Sequence, residues 1–176
     1  MLRRTLLMAL LTATPVLAQE TTTPAPRSNV EFARRSWVEV QDYLARSAAA
    51  APESLFAFKP TPDVRSFGEM LDHVAASERE YCHLALGESS KESGEATGAT
   101  GKRAVIAALE TSKALCARAY DQSEVDAARL AFGSTRVSRL QRLLENVQHD
   151  NLHYGNIVTY LRMNRMVPPS SQPPAR

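Results

Sequence analysis

The sequence predicts an all-α protein, a four-helix bundle. Four stretches place apolar residues at spacings of three and four, which is the pattern of a helix that is apolar on one side. Prolines and glycines separate these stretches, and none of them alternates convincingly in the two-residue period of a strand. The 176 residues, 44% hydrophobic and 23% charged, have the composition of one globular domain. Helices that are apolar on one side can bury that side only against one another, so a bundle follows.

Residues 1–18 have the layout of a secretory signal peptide. Arg3 and Arg4 precede an apolar run, and Val16 and Ala18 occupy the −3 and −1 positions of a cleavage site. The apolar run is too short for a membrane anchor, because spanning a bilayer takes about 20 residues. We therefore expect export, to the periplasm or outside the cell, and no membrane segment after cleavage.

The charge balance argues against a nucleic-acid partner. The chain has 21 Lys+Arg and 19 Asp+Glu, a net charge of +2. Loss of Arg3 and Arg4 with the signal peptide brings the basic residues to 19, so the mature chain is neutral. Nucleic-acid binding normally needs a basic excess, and this chain lacks one.

The first helix follows a Thr- and Pro-rich stretch, residues 19–27, that predicts a disordered leader. Ser28 can cap this helix, with Glu31 three residues later as its capping-box partner. The residues predicted to face inward are Val30, Ala33, Trp37, Val40 and Leu44. Prolines over residues 52–62 end the helix, because proline lacks a backbone donor and fixes the local angles.

The second helix begins at Ser66, with Glu69 as the capping-box partner. Its predicted inward residues are Phe67, Met70, Leu71, Val74, Tyr81, Leu84 and Ala85. Residues 87–101 are polar and contain four glycines, which predicts a loop. At roughly 3.3 Å per extended residue, this loop can cross a bundle about 30 Å long. The second and third helices can then run parallel, in an up-down-down-up bundle.

The third helix is predicted over residues 102–120 and the fourth over residues 137–166. The predicted inward residues of the third are Val105, Ala108, Leu109, Leu115 and Ala119. Those of the fourth are Leu140, Leu143, Leu144, Val147, Tyr154, Val158 and Leu161. Two prolines end the fourth helix, so the bundle covers residues 28–167 and residues 168–176 are predicted to be a disordered tail.

Three histidines are candidate metal ligands. His149 and His153 are four residues apart, so on a helix they share a face and can reach one ion. His73 comes to the same level if the second and fourth helices are antiparallel neighbours. Three imidazoles leave one metal position open, as in catalytic sites. On helical wheels the three flank the apolar stripes, so solvated surface histidines are the alternative.

Other polar residues near these histidines have less specific patterns. Glu145, one turn before His149, is the carboxylate we would test first as a general base. Asn156 is a candidate for a supporting contact or a weak fourth ligand, and both residues fit equally well as plain surface positions. His83 lies about 15 Å along the helix from His73, so it is excluded as a ligand.

The two cysteines, Cys82 and Cys116, are too few for a disulfide scaffold or an all-cysteine zinc site. An exported protein can form a disulfide, and parallel second and third helices place these residues at similar depths. Where all neighbouring helices are antiparallel, however, parallel helices lie on a diagonal, beyond the roughly 7 Å between Cα atoms that a disulfide allows. We therefore expect buried free thiols, with a disulfide as the alternative.

Two stretches resemble the DinB-like family. Residues 59–81 (KPTPDVRSFGEMLDHVAASEREY) are a turn leading into a helix with one histidine. Residues 149–171 (HDNLHYGNIVTYLRMNRMVPPSS) are an HxxxHxG helix that ends at a Pro-Pro pair. The resemblance extends over residues 30–171 and implies a four-helix bundle, often dimeric, that binds a divalent metal. By position the ligands are His73, His149 and His153, whereas Asn156 replaces the glutamine common in the family.

The resemblance also implies classes of activity, because some relatives are thiol transferases or isomerases that use a low-molecular-weight thiol. We expect a metal-dependent hydrolase or thiol transferase that acts on a small molecule. Zinc is the first candidate metal, followed by nickel and iron, since imidazole suits all three. The alternative is a non-catalytic exported bundle that binds a partner or a small molecule, with a structural or vestigial metal.

Overall fold

A computed structural model describes residues 28–90 and 97–173. Its long helices are α1 (Asn29–Ala50), α2 (Phe67–Leu86), α3 (Lys102–Tyr120) and α5 (Arg139–Met163). A one-turn helix, α4 (Glu124–Ala127), and 3-10 turns at Glu53–Ala57 and Pro169–Ser171 complete the elements. The described residues contain no strand, only an isolated bridge between Leu130 and Ser138. The predicted all-α bundle is confirmed.

The predicted signal peptide, residues 1–18, and the leader, residues 19–27, lie outside the described residues. Across the described ranges, every helix is either too short or too polar to cross a bilayer.

Serine side chains cap α1 and α2 as the sequence predicts. Ser28 Oγ accepts a hydrogen bond from the Glu31 backbone N–H at 3.0 Å. Ser66 and Glu69 form the complete capping box, each accepting from the other's backbone N–H. Such caps satisfy backbone donors that the first turn of a helix leaves unpaired.

The helices form a ring in which α2 lies between α3 and α5, and α1 closes the other side. Near the start of α2, the Asp72 carboxylate accepts from the N–H groups of Gly98 and Ala99, just before α3. Near the ends of both helices, Cys82 is bonded to Cys116. The two helices are therefore neighbours that run in the same direction.

The disulfide corrects the prediction of two free thiols. The Cα atoms of Cys82 and Cys116 are 5.2 Å apart, and both side chains are fully buried. The prediction was wrong because it assumed that neighbouring helices are always antiparallel. Here the long connection between α2 and α3 lets two parallel helices pack side by side.

The core divides into two ends. The apolar end, where α1 finishes and α2 and α3 begin, is filled by hydrophobic side chains: Leu44, Phe56, Phe67, Leu71, Val105, Ile157 and Leu161. The polar end, where α2 and α3 finish, contains aromatic, cysteine and leucine side chains: Trp37, Cys82, Cys116, Tyr120 and Leu143. Its buried polar residues are Glu78, Ser112, Asn146 and Asp150.

The buried face of α5 differs from the predicted one. Leu144, predicted to face inward, is 40% exposed, whereas Asn146 and Asp150 are fully buried. The prediction was based mainly on the positions of leucines and valines. Asn146 and Asp150 can nevertheless be buried, because polar groups on other helices pair with them.

The predicted disordered tail is partly structured. Pro169–Ser171 form a 3-10 turn, and Pro169 is buried. The Ser170 backbone N–H donates to the Tyr154 hydroxyl at 3.0 Å, which holds this turn against α5. Residues 174–176 lie outside the described part of the chain.

Candidate metal centre

Three imidazoles meet where α2 and α5 pack against each other. His73 is in the second turn of α2, and His149 and His153 are one turn apart on α5. The Nε2 atoms of His73 and His149 are 3.2 Å apart. The His153 ring centroid is 4.8 Å from that of His73 and 4.4 Å from that of His149. The structure thus brings together the three histidines that the sequence analysis selected.

The spacing of the nitrogen atoms fits a metal ion. Two nitrogens bonded tetrahedrally to zinc, each about 2.05 Å from the ion, lie about 3.3 Å apart. The observed 3.2 Å between Nε2 atoms is close to that value. One donor atom from each of the three histidines lies within 4.8 Å of the other two. Rotation of partly exposed side chains can close the remaining gap, so the three can hold a metal.

The protonation of the rings also suits a metal. Burial lowers the pKa of His149, and the Arg65 guanidinium lowers it further, while Glu78 opposes the shift. Burial, followed by the charges of His149 and His73, lowers the pKa of His153 to about 4. Rings with lowered pKa values remain neutral near pH 7 and keep a nitrogen lone pair for a cation.

The cluster is partly exposed to solvent. All three histidines are only partly buried, and the His149 side chain is 17% exposed. The Tyr81 ring lies 5.8 Å from the His149 ring and is also partly exposed. Tyr81 was predicted to face the core, but in the structure it lies at the edge of the site. Burial is the main cause that raises its pKa.

The other polar candidates lie around the cluster rather than in it. The described contacts of Glu145 are to its own helix, with Arg142 Nη1 at 2.7 Å and Gln141 Nε2 at 3.3 Å. Asn156 is exposed. His83 lies elsewhere on α2, with its Nδ1 2.9 Å from a carboxylate oxygen of Glu88.

A buried polar network centred on Glu78 was not predicted from the sequence. One carboxylate oxygen of Glu78 accepts from Trp37 Nε1 at 3.1 Å and from Gln41 Nε2. The other oxygen is 2.6 Å from Ser112 Oγ. Burial raises the pKa of Glu78 well above its usual range, and the nearby charge of Asp150 raises it further.

Asp150 connects this network to the cluster. Its side chain is fully buried, and burial raises its pKa. Asn146 Nδ2 lies 3.3 Å from Asp150 Oδ2 and also donates to the Tyr120 hydroxyl at 3.1 Å. Asp150 Oδ1 lies 3.7 Å from His149 Nδ1. All four long helices therefore contribute to a polar layer directly behind the histidines.

A signal for this layer was present in the sequence. On α2, five buried residues follow one another at spacings of three and four: Leu71, Val74, Glu78, Cys82 and Ala85. On α5, six buried residues have the same spacings: Leu143, Asn146, Asp150, Tyr154, Ile157 and Leu161. A polar residue in register with an apolar stripe indicates a buried polar partner. Such a residue is missed when the stripe is defined by apolar residues alone.

Comparison with known families agrees with this architecture. A model of the DinB superfamily matches residues 11–157, which include His73, His149 and His153. Comparison with curated proteins finds no match. Because the matched region covers well over half of the chain, this protein belongs to the DinB superfamily.

Proposed function

We propose that this protein is an exported metal-dependent enzyme, a hydrolase or thiol transferase that acts on a small molecule. Its divalent ion is bound by His73, His149 and His153. The observation that carries the proposal is the convergence of three imidazoles from two helices, with two Nε2 atoms 3.2 Å apart. Zinc is the first candidate, because it favours nitrogen ligands at this spacing and tolerates an open fourth position.

The chemistry follows from the neutral ligands. Imidazoles leave a bound ion its full positive charge, which activates a water molecule or converts a thiol into a thiolate. The partial exposure of the cluster gives a substrate access to it. Tyr81 borders the cluster, and Glu145 lies one turn from His149, so these two are the proton-transfer candidates to test.

The disulfide supports the export part of the proposal. Disulfides form and persist in oxidising compartments, whereas cytosolic thiols are kept reduced. The buried bond between Cys82 and Cys116 fits a protein directed out of the cytosol by residues 1–18. Expression of the full chain with N-terminal sequencing of the exported product tests this, and we expect the mature chain to begin at Gln19. Retention of residues 1–18 in the exported product would contradict it.

The alternative is a non-catalytic bundle in which the metal stabilises the fold. One observation favours it: among the described contacts, the carboxylate nearest the three clustered histidines is Asp150, which faces the core rather than solvent. Glu145 instead pairs with Arg142 on its own helix. On this alternative, removal of the metal lowers the melting temperature and changes no turnover.

Elemental analysis of tag-free protein, combined with an activity screen, tests the proposal. We expect about one divalent ion per chain and turnover, in a panel of ester, amide and thiol-transfer substrates, that a chelator abolishes and added zinc restores. Metal-free protein with full activity would contradict the enzyme proposal. A bound metal without turnover in the whole panel would favour the structural alternative.

A further inference from the structure

We infer that Asp150 is a positioning residue of the metal centre, whose Oδ1 accepts the Nδ1 proton of His149 and so directs Nε2 toward the ion. The inference rests on the proposed metal site. It goes beyond that site because it assigns a task to a core residue that binds neither metal nor substrate.

The first observation is that two buried polar atoms face each other without other partners. His149 Nδ1 and Asp150 Oδ1 are 3.7 Å apart. Both atoms are buried, and neither makes a hydrogen bond within the described part of the chain. A buried donor and a buried acceptor are almost always paired in folded proteins, and these two atoms lie close enough to be candidates for each other.

The second observation is that Asp150 is held in place from behind. Asn146 Nδ2 approaches its Oδ2 at 3.3 Å, and the Tyr120 hydroxyl holds Asn146 at 3.1 Å. The Tyr120 hydroxyl in turn donates to the Leu143 carbonyl at 2.8 Å. These contacts occupy Oδ2 and leave Oδ1 for the imidazole.

The third observation is the direction of the ring. His149 Nε2 faces His73 Nε2 at 3.2 Å, so Nε2 is the atom at the meeting point of the cluster. A neutral imidazole carries one proton, and placing it on Nδ1 leaves the Nε2 lone pair for a metal. Metal-binding histidines commonly donate their second nitrogen to a carboxylate, which fixes the tautomer and the ring orientation.

The separation of 3.7 Å is longer than a hydrogen bond, which normally spans 2.7–3.2 Å. The inferred hydrogen bond therefore requires a small rotation of the His149 ring toward Asp150. The expected role of Asp150 is therefore to lower the cost of holding His149 in the orientation that binds metal.

Zinc titration of metal-free, tag-free protein tests this role, with a chromophoric chelator as competitor. We expect Asp150→Ala to weaken zinc binding by about 10–100-fold, the usual effect of losing such a supporting contact. Asp150→Asn should lose less, because the amide oxygen still accepts a hydrogen bond. The matched control is Asp121→Asn, which changes an exposed carboxylate at the end of α3 and should leave the affinity unchanged.

A second measurement needs no variant and therefore does not depend on how Asp150 substitutions fold. Long-range ¹H–¹⁵N correlation spectra of zinc-loaded wild-type protein report which His149 nitrogen carries the proton. We expect the proton on Nδ1. A proton on Nε2, or a folded Asp150→Ala variant that binds zinc as tightly as wild type, overturns the inference.

The outcomes separate this inference from the proposed function. If wild-type protein binds neither zinc nor another divalent ion, both fail. If His149→Ala abolishes binding while the Asp150 variants keep wild-type affinity, the metal site is supported and the role of Asp150 is rejected.

Discussion

The two ends of the core are built on different principles. The apolar end is filled by hydrophobic side chains such as Leu71 and Phe67, which have no exposed surface, and its buried carboxylate, Asp72, accepts hydrogen bonds from backbone N–H groups. The polar end contains two buried carboxyl groups, Glu78 and Asp150, and a disulfide joins α2 to α3 there. The cluster of three histidines is backed by the polar end, where the side chain of Asp150 approaches His149.

This difference indicates that burial costs more at the polar end than at the apolar end. Burying a carboxyl group is unfavourable unless hydrogen bonds compensate, and burial raises the pKa of both Glu78 and Asp150. Donors from α1 and α3 compensate Glu78. The resulting directional contacts fix the side chains behind the histidines more tightly than apolar packing alone, which tolerates repacking.

The largest expected loss of stability comes from removing the Glu78 carboxyl group, at the centre of the polar end. Glu78→Ala leaves the Trp37 and Gln41 donors without an acceptor and opens a cavity, so we expect it to destabilise the fold by about 4–5 kcal/mol. Urea unfolding measures this. Glu110→Ala, at an exposed position on α3, is the control and should change stability by less than about 0.5 kcal/mol. A folded Glu78→Ala protein of wild-type stability would show that the network contributes nothing.

Removing the disulfide should have the next largest effect. The bond closes a separation of 34 residues, for which the chain-entropy relation gives about 4 kcal/mol at 25 °C. The Cys82→Ala/Cys116→Ala double variant should lose about that amount in chemical denaturation. A reducing agent should destabilise wild type and leave the double variant unchanged. If both proteins respond equally to the reducing agent, the bond is not formed in solution.

At the apolar end, Leu71→Ala should cost about 3 kcal/mol, because it removes a fully buried side chain and leaves a cavity. Leu152→Ala is the matched control, since Leu152 is 66% exposed, and should change stability little. The comparison between the two ends predicts that Leu71→Ala costs less than Glu78→Ala. The reverse order would mean that hydrophobic packing, rather than the polar layer, dominates this core.

A smaller effect is the pH dependence that Glu78 confers. Its pKa is raised in the folded state, so the folded protein holds a proton that the unfolded chain releases above its ordinary value of 4.5. The stability that Glu78 contributes should therefore fall as pH rises from that value toward its folded pKa, by at most about 1.4 kcal/mol per pH unit.

Urea unfolding of wild type and Glu78→Gln between pH 5 and pH 8 isolates this contribution, with the Glu110→Gln variant as control. The free energy of unfolding of wild type minus that of Glu78→Gln should fall as pH rises. A difference that stays constant over this range would show that the Glu78 carboxyl is not protonated in the folded state.

Local features of the sequence predicted local structure well. The five inward residues of α1, from Val30 to Leu44, are all buried, and both predicted serine caps are present. The pairing of His149 with His153 followed from their spacing of four on α5, whereas the addition of His73 depended on the assumed packing of α2 against α5 and on the resemblance to the DinB-like family. The local features depend on helix periodicity, which a single chain displays directly.

The errors concern contacts between helices, which periodicity does not encode. The free-thiol prediction failed because nothing local shows that α2 and α3, which the loop length allows to be parallel, are also adjacent. The polar layer was missed because Asn146 and Asp150 look like surface residues until partners on other helices are known. Tyr81 lies at the edge of the stripe on α2, and its ring lies 5.8 Å from that of His149 on α5, a contact between helices that periodicity does not predict.

The central claim is that His73, from α2, binds the same ion as the two histidines of α5. Zinc titration of metal-free, tag-free protein tests it most directly, with His83→Ala as the matched control because His83 lies elsewhere on α2. We expect one ion per chain in wild type, the same affinity in His83→Ala, and a loss of at least about 100-fold in His73→Ala. Equal affinity of His73→Ala and wild type would contradict the claim.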